Sequence, residues 1–190
     1  AGTVGNLLIR QPLAPGAFRQ LYNNPAKFAE CFADFPGHYM TGDAGMIDAD
    51  GYIHVMGRTD DIINVAGHRL STGQMEQVVA THPLVIESAV VGAPDDLKGE
   101  MPVAFVVWRG GTEVTPALER ELVQMVRADI GAIASPRAVV TVEGLPKTRS
   151  GKVLRNVLRA LLKGEEPVVP QTIEDASVID RIASVIREAA

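Results

Sequence analysis

Cysteine is all but absent: the 190 residues hold a single one, Cys31. One thiol excludes an internal disulfide and a thiolate-held metal cluster, and it fits a reducing, cytoplasmic setting. Aromatic side chains are scarce at 5%, with Trp108 the lone tryptophan. Basic stretches therefore lack the interleaved rings on which nucleic-acid bases stack. Excess positive charge is missing as well. Lys and Arg number 18 against 23 Asp and Glu, a formal −5, which disfavours a nucleic-acid partner. No apolar run approaches the roughly 20 residues a bilayer requires, so no membrane role is expected. The start, Ala1-Gly2-Thr3-Val4-Gly5, shows no basic segment followed by an apolar one and is not a signal peptide. It lacks an initiating Met and runs at once into the strand-like Asn6-Leu7-Leu8-Ile9-Arg10, which reads as a piece of a longer chain. No internal repeat and no low-complexity tract is present. What the sequence does have is 46% apolar residues, enough for one large core or two small ones.

The first third reads as β-rich with one short helix from Pro25 to Phe32, opened by Pro at its first turn. Asp50-Gly51 between two apolar runs predicts a hairpin. Arg58-Thr59-Asp60-Asp61 breaks the apolar pattern, and a domain boundary is expected there. Beyond it strands and helices alternate. Ser71-Thr72-Gly73-Gln74 fits a capping box before a helix with Met75, Val78 and Val79 on one face. Ala89–Ala93 and Pro102–Trp108 read as strands joined by a polar loop, 94–100. Thr115-Pro116 opens a helix with the stripe Leu118, Leu122, Met125, Val126 and Ile130. A strand at 138–142, a helix at 153–162 and a last helix at 178–187 complete the expected pattern. The fold class is α+β: a small sheet flanked by helices, preceded by a β-rich segment.

Several short stretches carry chemistry. In Tyr39-Met40-Thr41-Gly42-Asp43 the Gly permits a bend from which the Asp43 carboxylate can accept from two ribose hydroxyls; an ordinary Asp turn cap is the alternative. Arg58 offers a fork of donors for phosphate or ribose, against a plain solvated turn. Asp60 and Asp61 leave a hinge, a metal site and a plain solvated turn open; the metal reading is weak, because adjacent side chains face apart and no third carboxylate is spaced to join them. Gly67 permits close approach of a ligand, with Arg69 a second cation nearby. His68 reads as packing or hydrogen-bonding, not catalytic. Leu145-Pro146-Lys147-Thr148-Arg149-Ser150-Gly151-Lys152 delivers a cation from a Gly-containing loop, next to an expected helix start that would favour an anion. A nucleotide-hydrolase phosphate loop does not fit: its paired glycines are missing and Val153 follows the Lys.

Taken in order, Gly5-Asn6-Leu7-Leu8-Ile9, Tyr39 to Asp43, Gly57-Arg58-Thr59-Asp60-Asp61 through Gly67-His68-Arg69, and Leu145 to Lys152 resemble the adenylate-forming superfamily of acyl-CoA synthetases, peptide-synthetase adenylation domains and beetle luciferases. Within it, His82-Pro83, Glu87 to Gly92, Lys98-Gly99-Glu100, Arg127 with Ile130-Gly131, and the tail Thr172-Ile173-Glu174-Asp175 are similar to acetyl-CoA and propionyl-CoA synthetases. The resemblance implies that residues 1–59 end a large N-terminal AMP-binding domain and that 60–190 form the mobile C-terminal domain, with its hinge at Asp60. It implies Lys152 as the catalytic lysine of acyl-adenylate formation. Asp43, Arg58 and Arg69 become ATP or AMP contacts, and Ala66, Gly67 and Arg127 CoA contacts. Many acetyl-CoA synthetases have Ser where this chain has Ala66, so a side-chain hydrogen bond to CoA is lost. A family metal-ion site corresponds to Ala80, His82 and Val85.

The implied reaction joins a short-chain carboxylate, ATP with Mg2+, and CoA into acyl-CoA, AMP and pyrophosphate, without a prosthetic group. A lysine acetyltransferase and deacetylase acting on Lys152 are further implied partners, since acetylation removes its charge. The family's Gly/Ser/Thr-rich phosphate loop, adenine strand and acyl pocket do not occur in these residues, so the missing N-terminal domain is a required partner and the chain alone is expected to be inactive. Without that domain, the first stretch is expected to pack abnormally. Two other readings remain: an adenylation domain that loads a carrier protein, and a non-catalytic short paralogue acting as an interaction module.

Overall fold

The computed structural model describes residues 1–189. By the density of its contacts the chain divides into two compact units, Ala1–Asp60 and Asp61–Ala190.

The first unit is a three-stranded antiparallel sheet in the order β1-β2-β3, with β1 Gly5–Arg10, β2 His38–Ile47 and β3 Ile53–Arg58. The helix α1, Pro25–Ala33, starts with Pro in its first turn, and Asn24 caps it by accepting from the Lys27 N–H. The Asp50-Gly51 signal holds. The hairpin turns at 48–52, where Asp48 Oδ1 accepts from the N–H groups of Asp50 and Tyr52. Phe18, from the segment before α1, Phe28 and Phe32 of α1 and Tyr39 of β2 form edge and tilted ring contacts. The unit is nevertheless thin: Ala44 is its one fully buried apolar side chain among the described residues, and Ile53 and Val55 of β3 stay more than half exposed.

The second unit is a five-stranded sheet. β4 (Ile62–Val65) and β5 (His68–Ser71) form a hairpin; β6 (Val85–Asp95) and β7 (Gly99–Trp108) form a longer one; β8 (Ala138–Thr141) lies parallel to β7. The expected polar loop at 94–100 is shorter than its composition suggested, because both strands continue to the Asp95–Gly99 pair. Asp95 Oδ1 caps the tip by accepting from Leu97 and Lys98 N–H. Helices cover both faces. α2 (Thr72–Ala80) and α3 (Pro116–Asp129) bury Met75, Val79, Leu122 and Val126 against Ile63, Val65, Val90, Ala104 and Val106. α4 (Arg155–Leu162) and α5 (Ser177–Ala189) bury Val157, Leu158, Ile179 and Ile182 against Ala89, Val91, Val103 and Phe105. Two covered faces explain why β6 and β7 read as continuous apolar runs without alternation. The caps Ser71 and Thr115 accept from the N–H of Gln74 and Leu118, as the sequence signalled.

The helix expected at 153–162 begins later, at Arg155. Val153 is held in an extended bridge to Lys147, and this pairing outcompetes the helical preference of residues 153 and 154. None of the described helices is long and apolar enough to cross a membrane.

Candidate functional site

Three of the expected nucleotide and hinge residues meet in the first unit. Asp43 on β2 lies directly opposite Arg58 on β3. Arg58 Nη1 donates to the Thr41 carbonyl at 3.0 Å and to Asp43 Oδ1 at 3.4 Å, while Nε donates to Asp60 Oδ1 at 3.1 Å. The guanidinium lies over Gly42, whose φ is +78°; a Cβ there would sit 2.6 Å from Arg58 Nη2. Gly42 thus supplies the positive φ and also the room in which the Arg58 guanidinium lies. Asp43 accordingly projects from a continuous strand, not from the turn its sequence context suggested. Partial burial works to lower the Arg58 pKa, but the carboxylates of Asp60 and then Asp43 outweigh it and hold the guanidinium above its ordinary value. The three side chains remain 35–61% exposed, so a ligand can compete for them.

In the second unit Ala66 and Gly67 form the two-residue tip of the β4–β5 hairpin, closed by the Val65–His68 pair. Both have positive φ, 49° and 85°, the requirement of a type I′ turn that matches strand twist. Ala66 tolerates this conformation at a cost, and its N–H is fixed by the Lys98 carbonyl at 2.8 Å. Only Val65 and Gly99 pair β4 with β7; Glu100 Oε2 supplements that thin ladder by accepting from Asn64 N–H at 2.8 Å. Gly67 is exposed, with nothing within 4 Å of a would-be Cβ. Arg69 on β5 and Arg127 in the last turn of α3 are also exposed.

Lys152 does not open a helix. It closes a tight reverse turn in which Thr148 N–H donates to the Lys152 carbonyl at 2.9 Å and Lys152 N–H donates to Thr148 Oγ1 at 3.1 Å. Gly151 supplies the positive φ, 84°. The base of the turn is pinned on three sides. Lys147 pairs with Val153, Lys147 Nζ donates to Glu87 Oε1 at 2.7 Å, and the tail residues Thr172 and Glu174 bond to Arg149 and Lys147. The Lys152 ammonium is exposed and has no ion-pair partner among the described residues. Lys152 lies in this turn, Arg69 on β5 and Arg127 on α3.

Of the expected metal set Ala80, His82 and Val85, the histidine ring is packed inside the protein. His82 is 5% exposed and accepts from Leu84 N–H on Nδ1 at 3.2 Å, while Nε2 faces Glu121 Oε1 at 3.6 Å. The Nδ1 lone pair is thereby engaged within the protein, and Ala80 and Val85 would contribute backbone carbonyls. His82 ties α2 to β6 with its ring edge-on to Trp108. No group of three His, Cys, Asp or Glu among the described residues is placed to hold a metal ion.

Sequence reasoning missed a four-membered ionic network. Arg155 of α4 grips Glu76 of α2 through Nε and Nη2 at 3.0 and 2.6 Å, and Arg159 donates to Asp61 at 3.0 Å. Its members are up to 98 residues apart, so no local spacing could announce it.

Residues 74–152 match the family described as the AMP-binding enzyme C-terminal domain, a match that ends on Lys152. The chain is 45% identical over 184 residues to the mitochondrial acyl-CoA synthetase short-chain family member B of Dictyostelium discoideum, covering 96% of this chain and 27% of that protein. It is 44% identical over 181 residues to the acetyl-coenzyme A synthetase of Phycomyces blakesleeanus, covering 94% and 27%. It thus spans little more than a quarter of the length of these curated relatives. A crystal structure of the anthranilate CoA ligase AuaEII in complex with anthranoyl-AMP matches with a TM-score of 0.71 and 34% identity, covering 84% of this chain and 30% of that one. The chain belongs to the adenylate-forming superfamily of AMP-binding acyl-CoA synthetases, to whose C-terminal portion its α+β fold corresponds.

Proposed function

We propose that this chain is the C-terminal part of a short-chain acyl-CoA synthetase acting on acetate or propionate. In the first half-reaction a carboxylate oxygen attacks the α-phosphorus of Mg2+-ATP, and the bond to pyrophosphate breaks. Negative charge grows on the transferring phosphoryl group, and the Lys152 ammonium stabilises it. In the second half-reaction the CoA sulfur attacks the acyl carbonyl, its proton is lost, and AMP departs. Asp43 takes the ribose hydroxyls, and Arg58 and Arg69 take the nucleotide. The exposed Ala66–Gly67 tip lets pantetheine pass close to the backbone, and Arg127 takes a CoA phosphate. Asp60 is the hinge by which one site serves both steps. Residues 1–59 belong on this reading to the large N-terminal domain.

The observation that carries this reading is the Lys152 turn: an exposed ammonium without an ion-pair partner among the described residues, on a loop braced by Glu87, Val153 and the 172–174 tail. Such a charge is held in place and left free for a developing oxyanion. Acyl-dependent ATP–pyrophosphate exchange tests it. The synthetase carrying this chain is expected to exchange with acetate or propionate, and Lys152→Ala is expected to lower exchange by at least about a hundredfold. Thioester formation from preformed acyl-AMP should survive in that variant. The 190 residues alone are expected to give no exchange; exchange by them would show an ATP site within this chain and overturn the division of labour.

A further inference from the structure

The chain leaves its first unit at Asp60 and enters its second at Asp61, and these adjacent carboxylates are held by different arginines. Asp60 accepts from Arg58, whose other arm rests on β2. Asp61 accepts from Arg159 of α4 at 3.0 Å and lies 3.7 Å from Arg155. Arg155 carries the link on to Glu76 of α2 through both arms of its fork. Glu76 Oε1 also accepts from Val90 N–H of β6 at 2.8 Å, and Thr72 Oγ1 donates to the Asp61 carbonyl at 2.8 Å. The four charged side chains are 15–23% exposed, so their attraction is screened less than that of surface pairs.

We infer that Asp61, Arg159, Arg155 and Glu76 form a mount that fixes α4, and through it the Lys152 turn, on the residue immediately beyond the hinge. Asp61 and Arg159 are positioning residues for Lys152. This rests on the reading of Asp60 as pivot and Lys152 as the adenylation lysine. The physical reason is a contrast in how the two working faces are attached. Ala66, Gly67 and Arg69 follow Asp61 directly along β4 and β5, so the backbone itself carries them. Lys152 is joined to Asp61 only through tertiary contacts. The apolar side of α4, Leu154, Val157 and Leu158, packs on the sheet, and the force behind that packing is non-directional. A bidentate fork and a short charge-assisted bond are directional. Cutting the mount should therefore harm the step that uses Lys152 more than the step that uses Gly67.

The test is done in the synthetase that carries this chain, with both half-reactions measured and a thermal melt for each variant. Acyl-dependent ATP–pyrophosphate exchange reads the first, and acyl-CoA formation from synthetic acyl-AMP and CoA reads the second. Arg159→Met is expected to lower exchange about tenfold and thioester formation by less than about twofold. Arg159→Lys should recover most of the loss. Asp61→Asn should show the same split, and the double variant should be no worse than the worse single one. Equal losses in both half-reactions are what a reduced folded fraction produces, and they overturn the inference; so do unchanged exchange and additive losses. Lys152→Ala is measured alongside: if exchange survives that change, the reading of Lys152 itself fails, whatever Arg159 does.

Discussion

At the scale of the residue, the informative positions are those whose backbone conformation and neighbours disagree with their side-chain type. Ala66 is the sharpest case. It adopts φ 49° at a hairpin tip where Asn, Asp or Gly is the usual choice. The left-handed region costs an L residue roughly 1–2 kcal/mol. Replacing Ala by Gly also adds roughly 0.4–1 kcal/mol of unfolded-chain entropy. Ala66→Gly is therefore expected to stabilise the second unit by only about 0.8 kcal/mol, the difference between those two effects, measured by urea unfolding with unchanged slope. A loss of stability would show that the tip is held by more than the Lys98 carbonyl. Gly42 teaches the converse. Its motif and its conformational role were legible, but its neighbour was not, because the guanidinium beside it comes from Arg58 on the adjacent strand.

At the scale of the element, local signals predicted most starts and few tertiary overrides. Asn24, Ser71 and Thr115 cap the helices they precede, and each accepts from a first-turn N–H. The β2–β3 hairpin is capped by Asp48, which accepts from two backbone N–H groups and lies 2.8 Å from His54 Nε2. The hydrogen bond with His54, then that with the Tyr52 N–H, holds the Asp48 carboxyl below its ordinary range. A depressed carboxylate contributes stability above its unfolded pKa and loses it as pH falls through the folded pKa. Acidification below the ordinary Asp range is thus expected to loosen this hairpin, with amide exchange of Tyr52 rising first. Asp48→Asn should remove most of that acid sensitivity. α4 is where the element reading was wrong. Its periodicity extended to Val153, yet Val153 pairs with Lys147 and Glu174 N–H bonds the Lys147 carbonyl. That exchange of a helical turn for a braced reverse turn is what leaves Lys152 exposed and fixed.

At the scale of the whole molecule the two units are unequally built. The first buries almost no apolar side chain, while the second has an apolar cluster on each face of its sheet. Leu158, with no exposed surface, sits in the α4–α5 cluster. Leu158→Ala is expected to cost about 3 kcal/mol through lost burial and a residual cavity, read as a lower urea midpoint for the second unit; a cost below about 1 kcal/mol would mean that the cluster collapses around the gap. The sequence alone determined the class of fold and the break near residue 60, because caps, turns and apolar periodicity act over a few residues and leave local marks, and its ordered motifs pointed to the superfamily and to the stretches proposed to carry its chemistry. The tertiary structure decided what those stretches do for one another. It set Arg58 between Asp43 and Asp60, engaged His82 Nδ1 with the Leu84 N–H, turned Lys152 away from a helix start, and joined Asp61 to Arg159 across 98 positions. Such contacts depend on which faces the sheet brings together, and directional bonds between distant residues have no period to be read from the chain.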